Sequence, residues 1–396
     1  MSVLGVSRPG SKGTPSTVIT EQIVDAASNK DAIHQAIRLL WAPSVFQICA
    51  ARATAHAAFA LLKAQRRMVQ ACTLDSLLRG QYFLPDGTAV TIDSKRICEA
   101  IQKTKLFNAE LERELPLLTD VAPTFFAVMR GDCVDAAVAL RKTLGKRTCV
   151  LNMANEANPG GGWIGGSGAQ EENLCRRSGL AFCLADPFRL VDGSASRDLY
   201  PIGEFAVVYS KNVPVFRGSE ADGYPYFPSG PLFFGVLTAP AYRHPPTQPD
   251  RVTGIDVFDA KWRRKVRSKA RAVLRCAAIN KERVVVLSAH GCGAFSNPPA
   301  EIAAAYKDVA NEAEFAGHFD AVVFGILEDK NSGGRNVEPF AVAFSVPILE
   351  GPAALEAAVR AAFKLDAAAR DGDGAAEVAA AAPAPASEAE ASTSID

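Results

Sequence analysis

The sequence has no surplus of either charge: 43 lysines and arginines stand against 43 aspartates and glutamates in 396 residues. Without a basic excess the chain is a poor candidate for a whole-surface polyanion binder, so direct nucleic-acid binding is not indicated. Metal-site spacing is lacking too. The five histidines and nine cysteines are scattered, with no CxxC pair and no Cys/His cluster, so no metal and no cofactor is expected. The cysteines read as reduced, mostly buried thiols of an intracellular protein, cytoplasmic or nuclear. No apolar run reaches the roughly 20 residues of a membrane helix. The opening "MSVLGVSRPGSKG" lacks the charged-then-apolar order of a secretory signal. Two nucleotide signatures are missing as well: GxxxxGK before Ser or Thr, and GxGxxG with an acidic residue on a second strand.

What is present is enough apolar material for a full core, 48% of residues, and a division by composition. Residues 1–20 are rich in Ser, Gly, Pro and Thr and read as a flexible arm. Residues 21–120 read as a helical N-terminal region packing on the core, typified by "AARATAHAAFALLKAQRRMVQACTLDSLL" with almost no helix breaker. Residues 366–396, biased to Ala, Pro and acidic residues, read as a disordered tail. Between them, in residues 121–365, short apolar runs alternate with helical stretches, which predicts an α/β fold, a mixed sheet flanked by helices. Strands are expected at "TFFAVMRGD", "TCVLNMAN", "EFAVVYSKNVPVF", "PLFFGVLTAPA", "RVVVLSAHG" and "DAVVFGILE". Helices are expected at "CVDAAVALRKTLG", "DAKWRRKVRSKARAVLRCAAIN" and "PPAEIAAAYKDVANEAEF".

Ligands in such sheets collect at the carboxyl ends of strands, and two glycine-rich segments stand there. "ANPGGGWIGGSGA" follows one strand and runs into Gln170, Glu171 and Glu172; "HGCGAFSNPP" follows another. One glycine cluster alone is most often a turn. One glutamate in a first helical turn is explained by the helix dipole, at about 0.3–1 kcal/mol. Two glutamates after a long glycine approach fit a site better, because neighbours on a helix point about 100° apart and face one ligand together only near its start. One carboxylate then holds sugar hydroxyls while the other shuttles a proton, the division that glycosidic cleavage requires.

"GGG", seven residues, then "QEE", at Gly160–Gly162 and Gln170–Glu172, resembles the catalytic signature of the microbial-type poly(ADP-ribose) glycohydrolases, a catalytic branch of the macrodomain fold. "VLNMANEANPGGGW", "LCRRSGL", "YSKNVPVFR", "VLTAPA" and "GCGAFSNPP" extend the likeness over about Thr73 to Phe344. The resemblance implies a macrodomain-like core with an N-terminal helical extension. It implies hydrolysis of ribose–ribose bonds in poly(ADP-ribose), ADP-ribose as product, and reversal of ADP-ribosylation, a step in the DNA damage response. ADP-ribosylated macromolecules are the implied partners. Glu172 would be the proton-transferring residue, with Glu171 and Gln170 positioning the ribose and Asn158 contacting it. Gly160, Gly161 and Gly162 would pass close to the ligand. Gly291, Cys292, Gly293, Ala294 and Phe295 would wrap the diphosphate, Phe295 packing on a sugar, and Phe340 of "NVEPF" would approach the adenine. "WIGGSGA" departs from the family pattern, which places an aromatic, a Leu and an Asn there; so many glycines imply a looser catalytic loop.

Breaking a ribose–ribose bond passes through an oxocarbenium-like state, so the enzyme must protonate the departing oxygen and then deliver water, and a single carboxyl can do both in sequence. Such a carboxyl must hold a proton at rest, which a nearby diphosphate and a second carboxylate favour. Two other readings stay open from the residues alone: a non-catalytic ADP-ribose reader, and a hydrolase of mono-ADP-ribosyl linkages on protein or nucleic acid.

Overall fold

A computed structural model describes residues 56–119, 121–187, 190–191, 198–328 and 334–365. The expected arm at 1–20, the helical stretch from 21 to 55 and the tail at 366–396 lie outside the described residues. Within the rest, an eight-stranded sheet forms the spine. Its strands are β3 (Lys105–Phe107), β4 (Phe125–Arg130), β5 (Thr148–Ala154), β6 (Val207–Val215), β7 (Leu232–Pro240), β10 (Val284–Leu287), β11 (Ala321–Ile326) and β12 (Ile348–Glu350). Two-residue strands β8 (Gln248–Pro249) and β9 (Asp256–Val257) pair with each other in a surface loop. The sheet order is β12-β4-β11-β10-β5-β7-β6-β3. From β12 through β7 neighbours run parallel, and β6 and β3 join antiparallel.

The parallel strands are built largely of apolar residues because helices cover both faces. Val284–Leu287 is buried along its whole length. On one side pack α3 (Cys133–Leu144), α4 (Gln170–Arg177) and α9 (Gly351–Ala362); on the other, α6 (Ala260–Ile279) and α7 (Pro299–Ala310). Helix α7 begins at Pro299, where a missing N–H costs nothing. Asp132 caps α3, accepting from the amides of Val134 and Asp135, and Gly145 ends it in the left-handed conformation.

The N-terminal region is more than helical. Helix α1 (His56–Arg79) leads into an antiparallel hairpin of β1 (Gln81–Phe83) and β2 (Ala89–Thr91), then α2 (Ser94–Gln102), and β3 extends the main sheet beside β6. These strands are three residues long and bounded by "PDGT" and Lys-rich turns, too short for an alternation to register.

The basic helix α6 presents no bare cationic stripe. Arg263, Arg267, Arg271 and Arg275, four residues apart, meet Glu301, Asp308, Glu312 and Glu314 on and just beyond α7. Among the described residues the cysteines are unpaired, all but Cys98 are buried, no His/Cys/Asp/Glu group could hold a metal, and no helix is long and apolar enough to cross a membrane.

Candidate active site

All the parallel strands point their carboxyl ends to one edge, and β5, β10 and β7 deliver their loops there side by side. The loop from β5 to α4 holds Asn158, Gly160–Gly162 and the start of α4, so the residues singled out between 158 and 172 stand together. Helix α4 opens with no side-chain cap, and Glu171 and Glu172 occupy its first turn. Both are buried, at 3% and 7% exposure, although ionised carboxylates rarely are.

The two are held differently. Glu171 accepts the Asn155 backbone N–H on Oε2 at 2.8 Å and the Asn152 amide on Oε1 at 3.3 Å. Glu172 Oε1 accepts the Gly162 N–H at 2.8 Å, and its Oε2 is buried with no hydrogen-bond partner. Desolvation, reinforced by the charge of Glu172, outweighs the donors on Glu171 and pushes it up to about 8. The buried pair therefore holds one proton between its two carboxyls near neutral pH.

Gly161 answers why glycine precedes these acids. Its backbone sits at φ +58°, and a Cβ there would lie 2.7 Å from Glu172 Oε1 and 2.8 Å from Glu171 Oε2. At Gly160, φ +72°, a Cβ would strike the Trp163 indole. The bare backbone lies directly on the carboxylates.

The raised pKa of Glu171 has a stability consequence. A glutamate ionises at 4.5 when unperturbed and near 8 here, so the folded chain holds the extra proton between those values and stability falls as pH rises across them. Glu171→Gln is expected to flatten that decline. Urea unfolding at about pH 5 and about pH 8 measures it, and equal losses in wild type and variant would refute it.

Several expected residues take other positions. Gln170 spends its amide on β5: Oε1 accepts from Met153 N at 2.9 Å, and Nε2 donates to Leu151 O at 2.7 Å. It clamps the helix start to the strand instead of reaching a sugar. Phe340 is corrected to a core residue. It is fully buried, its ring 5.0 Å from that of Phe324, because the apolar face of α8 (Val337–Phe344) packs on the sheet. Asn158 is exposed at the rim, its backbone N–H bonded to Asn155 Oδ1 at 2.9 Å.

The loop after β10 contains Gly291–Phe295. Gly291, at φ +80°, is glycine for packing: a Cβ would meet Ala241 and the Asn297 amide. Asn297 donates to Tyr242 O at 2.7 Å and to Gly291 O at 3.0 Å, closing the loop on itself. Cys292 is buried, so this loop offers a ligand its backbone, with Gly293 and Phe295 half-buried and Ala294 exposed. The guanidinium of Arg243 lies 5.4 Å over the Phe295 ring. His290 is structural. Nε2 donates to Ala239 O and Nδ1 accepts from Tyr306, each at 3.0 Å, and burial lowers it to about 4.

Sequence reasoning missed Asn152 and Asn155, which grip Glu171, and Tyr200. The Tyr200 hydroxyl is buried without a partner, and burial beside Glu171 pushes it well above its ordinary value. "NMAN" carries a signal for Asn152, whose side-chain amide reaches Glu171; Asn155 holds it through its main-chain N–H, which no residue type marks, and nothing local marks Tyr200.

The chain was compared with known proteins. The family described as "Microbial-type PARG, catalytic domain" matches residues 71–218. The chain is similar to the crystal structure of poly(ADP-ribose) glycohydrolase from Thermomonospora curvata, at 32% identity and a TM-score of 0.58, covering 70% of this chain and 99% of that one. It is similar to the same organism's enzyme bound to the inhibitor ADP-HPD, at 31% identity and a TM-score of 0.55, covering 70% and 98%. Comparison with curated proteins finds no match.

Proposed function

This chain belongs to the microbial-type poly(ADP-ribose) glycohydrolases, and from that premise we propose how its own residues carry the reaction. The enzyme hydrolyses the ribose–ribose bonds of poly(ADP-ribose) and releases ADP-ribose. The observation that carries the assignment of roles is the unequal state of two adjacent buried carboxylates. Glu172 has one oxygen pinned by the Gly162 N–H and the other unpartnered; Glu171 has both oxygens engaged.

The one proton the pair holds passes through Glu172 Oε2 to the departing ribose oxygen as the oxocarbenium-like state develops, and Glu172 then takes one from the attacking water. Glu171 holds the ribose hydroxyls in place. Asn158 and the backbone of Gly160–Gly162 line that ribose. The backbone of Gly291–Phe295 wraps the diphosphate, where bare N–H groups attract anions, and the Phe295 ring packs on a sugar. Unpaired, largely buried thiols favour an intracellular setting, cytoplasmic or nuclear.

The test presents poly(ADP-ribose) and a mono-ADP-ribosylated protein in parallel and separates the products by chromatography. ADP-ribose released from the polymer is expected. Binding of ADP-ribose with cleavage of neither substrate would replace the enzyme by a reader. Release from the mono-modified protein alone would move the substrate class.

A further inference from the structure

The segment "WIGGSG" is not slack: helix α1 lies against it, and the extra glycines are where the helix touches. At Gly166, φ +77°, a Cβ would run into the backbone carbonyl of Lys63; at Gly168 it would run into the Arg66 guanidinium. Neither glycine faces the carboxylates. Both make room for α1.

Arg66 is anchored in turn. Its side chain is 11% exposed and grips Glu220 through Nε at 3.1 and 3.2 Å and Nη2 at 2.5 Å. Glu220 Oε2 accepts the Tyr224 hydroxyl at 2.6 Å. The Tyr224 oxygen accepts from Arg176 Nε at 2.8 Å and from the Asn173 amide at 3.1 Å. Arg176, fully buried, donates through Nη1 to the carbonyl of Ser167 at 2.7 Å. The Ser167 N–H donates to Gly162 O at 3.3 Å, and the Gly162 N–H holds Glu172. Arg176 also stands four residues beyond Glu172 on the same helix, so one face of α4 carries both ends of this connection.

Resting on the glycohydrolase reading above, we propose that Arg66 is a positioning residue for Glu172: with Glu220 it fixes the 163–168 segment against α4 and thereby sets the carboxylate that moves the proton. The N-terminal helix is thus part of the active site's frame. A carboxylate released from that frame still binds sugar but meets the leaving oxygen at the wrong distance, and a displacement of about 1 Å costs about 10²-fold in rate.

The experiment uses the full chain with Arg66→Ala, Arg66→Lys and Glu220→Gln. For each, kcat and KM for poly(ADP-ribose), calorimetric affinity for ADP-ribose and the melting temperature are measured. Arg66→Ala is expected to lower kcat by about 10- to 100-fold, with KM and ADP-ribose affinity changing far less. Arg66→Lys recovers part of the loss, since a lysine keeps the charge without the planar two-pronged fork. Glu220→Gln falls similarly, and combining it with Arg66→Ala adds little, the sign of one shared unit. Should Arg66→Ala fail to fold, the other two variants carry the same comparison. A folded Arg66→Ala whose kcat stays within about twofold of wild type, or whose loss lies wholly in KM, overturns the inference. Wild-type protein that leaves the polymer uncleaved would overturn the glycohydrolase reading instead, so the two failures are distinct.

Discussion

Glu172→Gln is expected to lower release of ADP-ribose from the polymer by about 10⁴-fold, the upper end of what acid–base catalysis contributes, because one residue serves both proton transfers. The amide keeps the carboxylate's shape and its oxygen can still accept the Gly162 N–H, now 2.8 Å from Oε1. What changes is the other atom. Oε2 is buried and unpartnered, the one oxygen of the pair with no competing donor; an NH2 there neither gives a proton to the leaving ribose nor takes one from water. ADP-ribose affinity should stay nearly intact, since the loop proposed to wrap the diphosphate follows a different strand, β10. Burying an amide without an acceptor costs about 1–3 kcal/mol of stability, so melting is recorded alongside single-turnover hydrolysis. Glu171→Gln should be milder in turnover and worse in binding. Wild-type turnover in Glu172→Gln would remove this residue from the chemistry.

Much of this was legible in the chain because the strands of the sheet centre are buried on both faces and therefore written largely in apolar residues; β4, β5, β6, β7, β10 and β11 all fall on segments expected to be strands. The edge strands β3 and β12, three residues each, carry no such signature, because their place is set by neighbours distant in sequence. The same holds at the site. "GGG" and "QEE" are close in the chain, seven residues apart, so their meeting is a local fact. The family resemblance implies a ribose contact for Gln170 and an adenine contact for Phe340, but packing engages both elsewhere: β5 offers an N–H and a carbonyl that take up the Gln170 amide, and Phe324 offers an apolar surface that takes up Phe340. Most instructive is "WIGGSGA". Glycine in a sequence reads as freedom, but whether it is freedom or contact depends on what lies opposite. Lys63 and Arg66 lie opposite Gly166 and Gly168, roughly a hundred residues upstream, where no local reading reaches.

The contact logic of glycine gives the other large effect. Gly161→Ala is expected to lower turnover by about 10²-fold or more, for a methyl group cannot enter without moving the catalytic pair. Its Cβ would stand 2.7 Å from Glu172 Oε1 and 2.8 Å from Glu171 Oε2, distances no carbon keeps from a carboxylate oxygen. Those two oxygens are the ones the Gly162 and Asn155 amides hold, so relief of the clash breaks the bonds that aim both acids. The backbone resists the alternative of turning away, because φ is +58° and an L-residue in that conformation pays roughly 1–2 kcal/mol. Gly165→Ala is the internal comparison: in the same loop, its Cβ would find nothing within 4 Å, and turnover should change little. Steady-state assays of both variants decide it. Should Gly161→Ala turn over like Gly165→Ala, the loop does not press on the carboxylates, and the glycines before Gln170 would have to be explained by something other than the approach of backbone to Glu171 and Glu172.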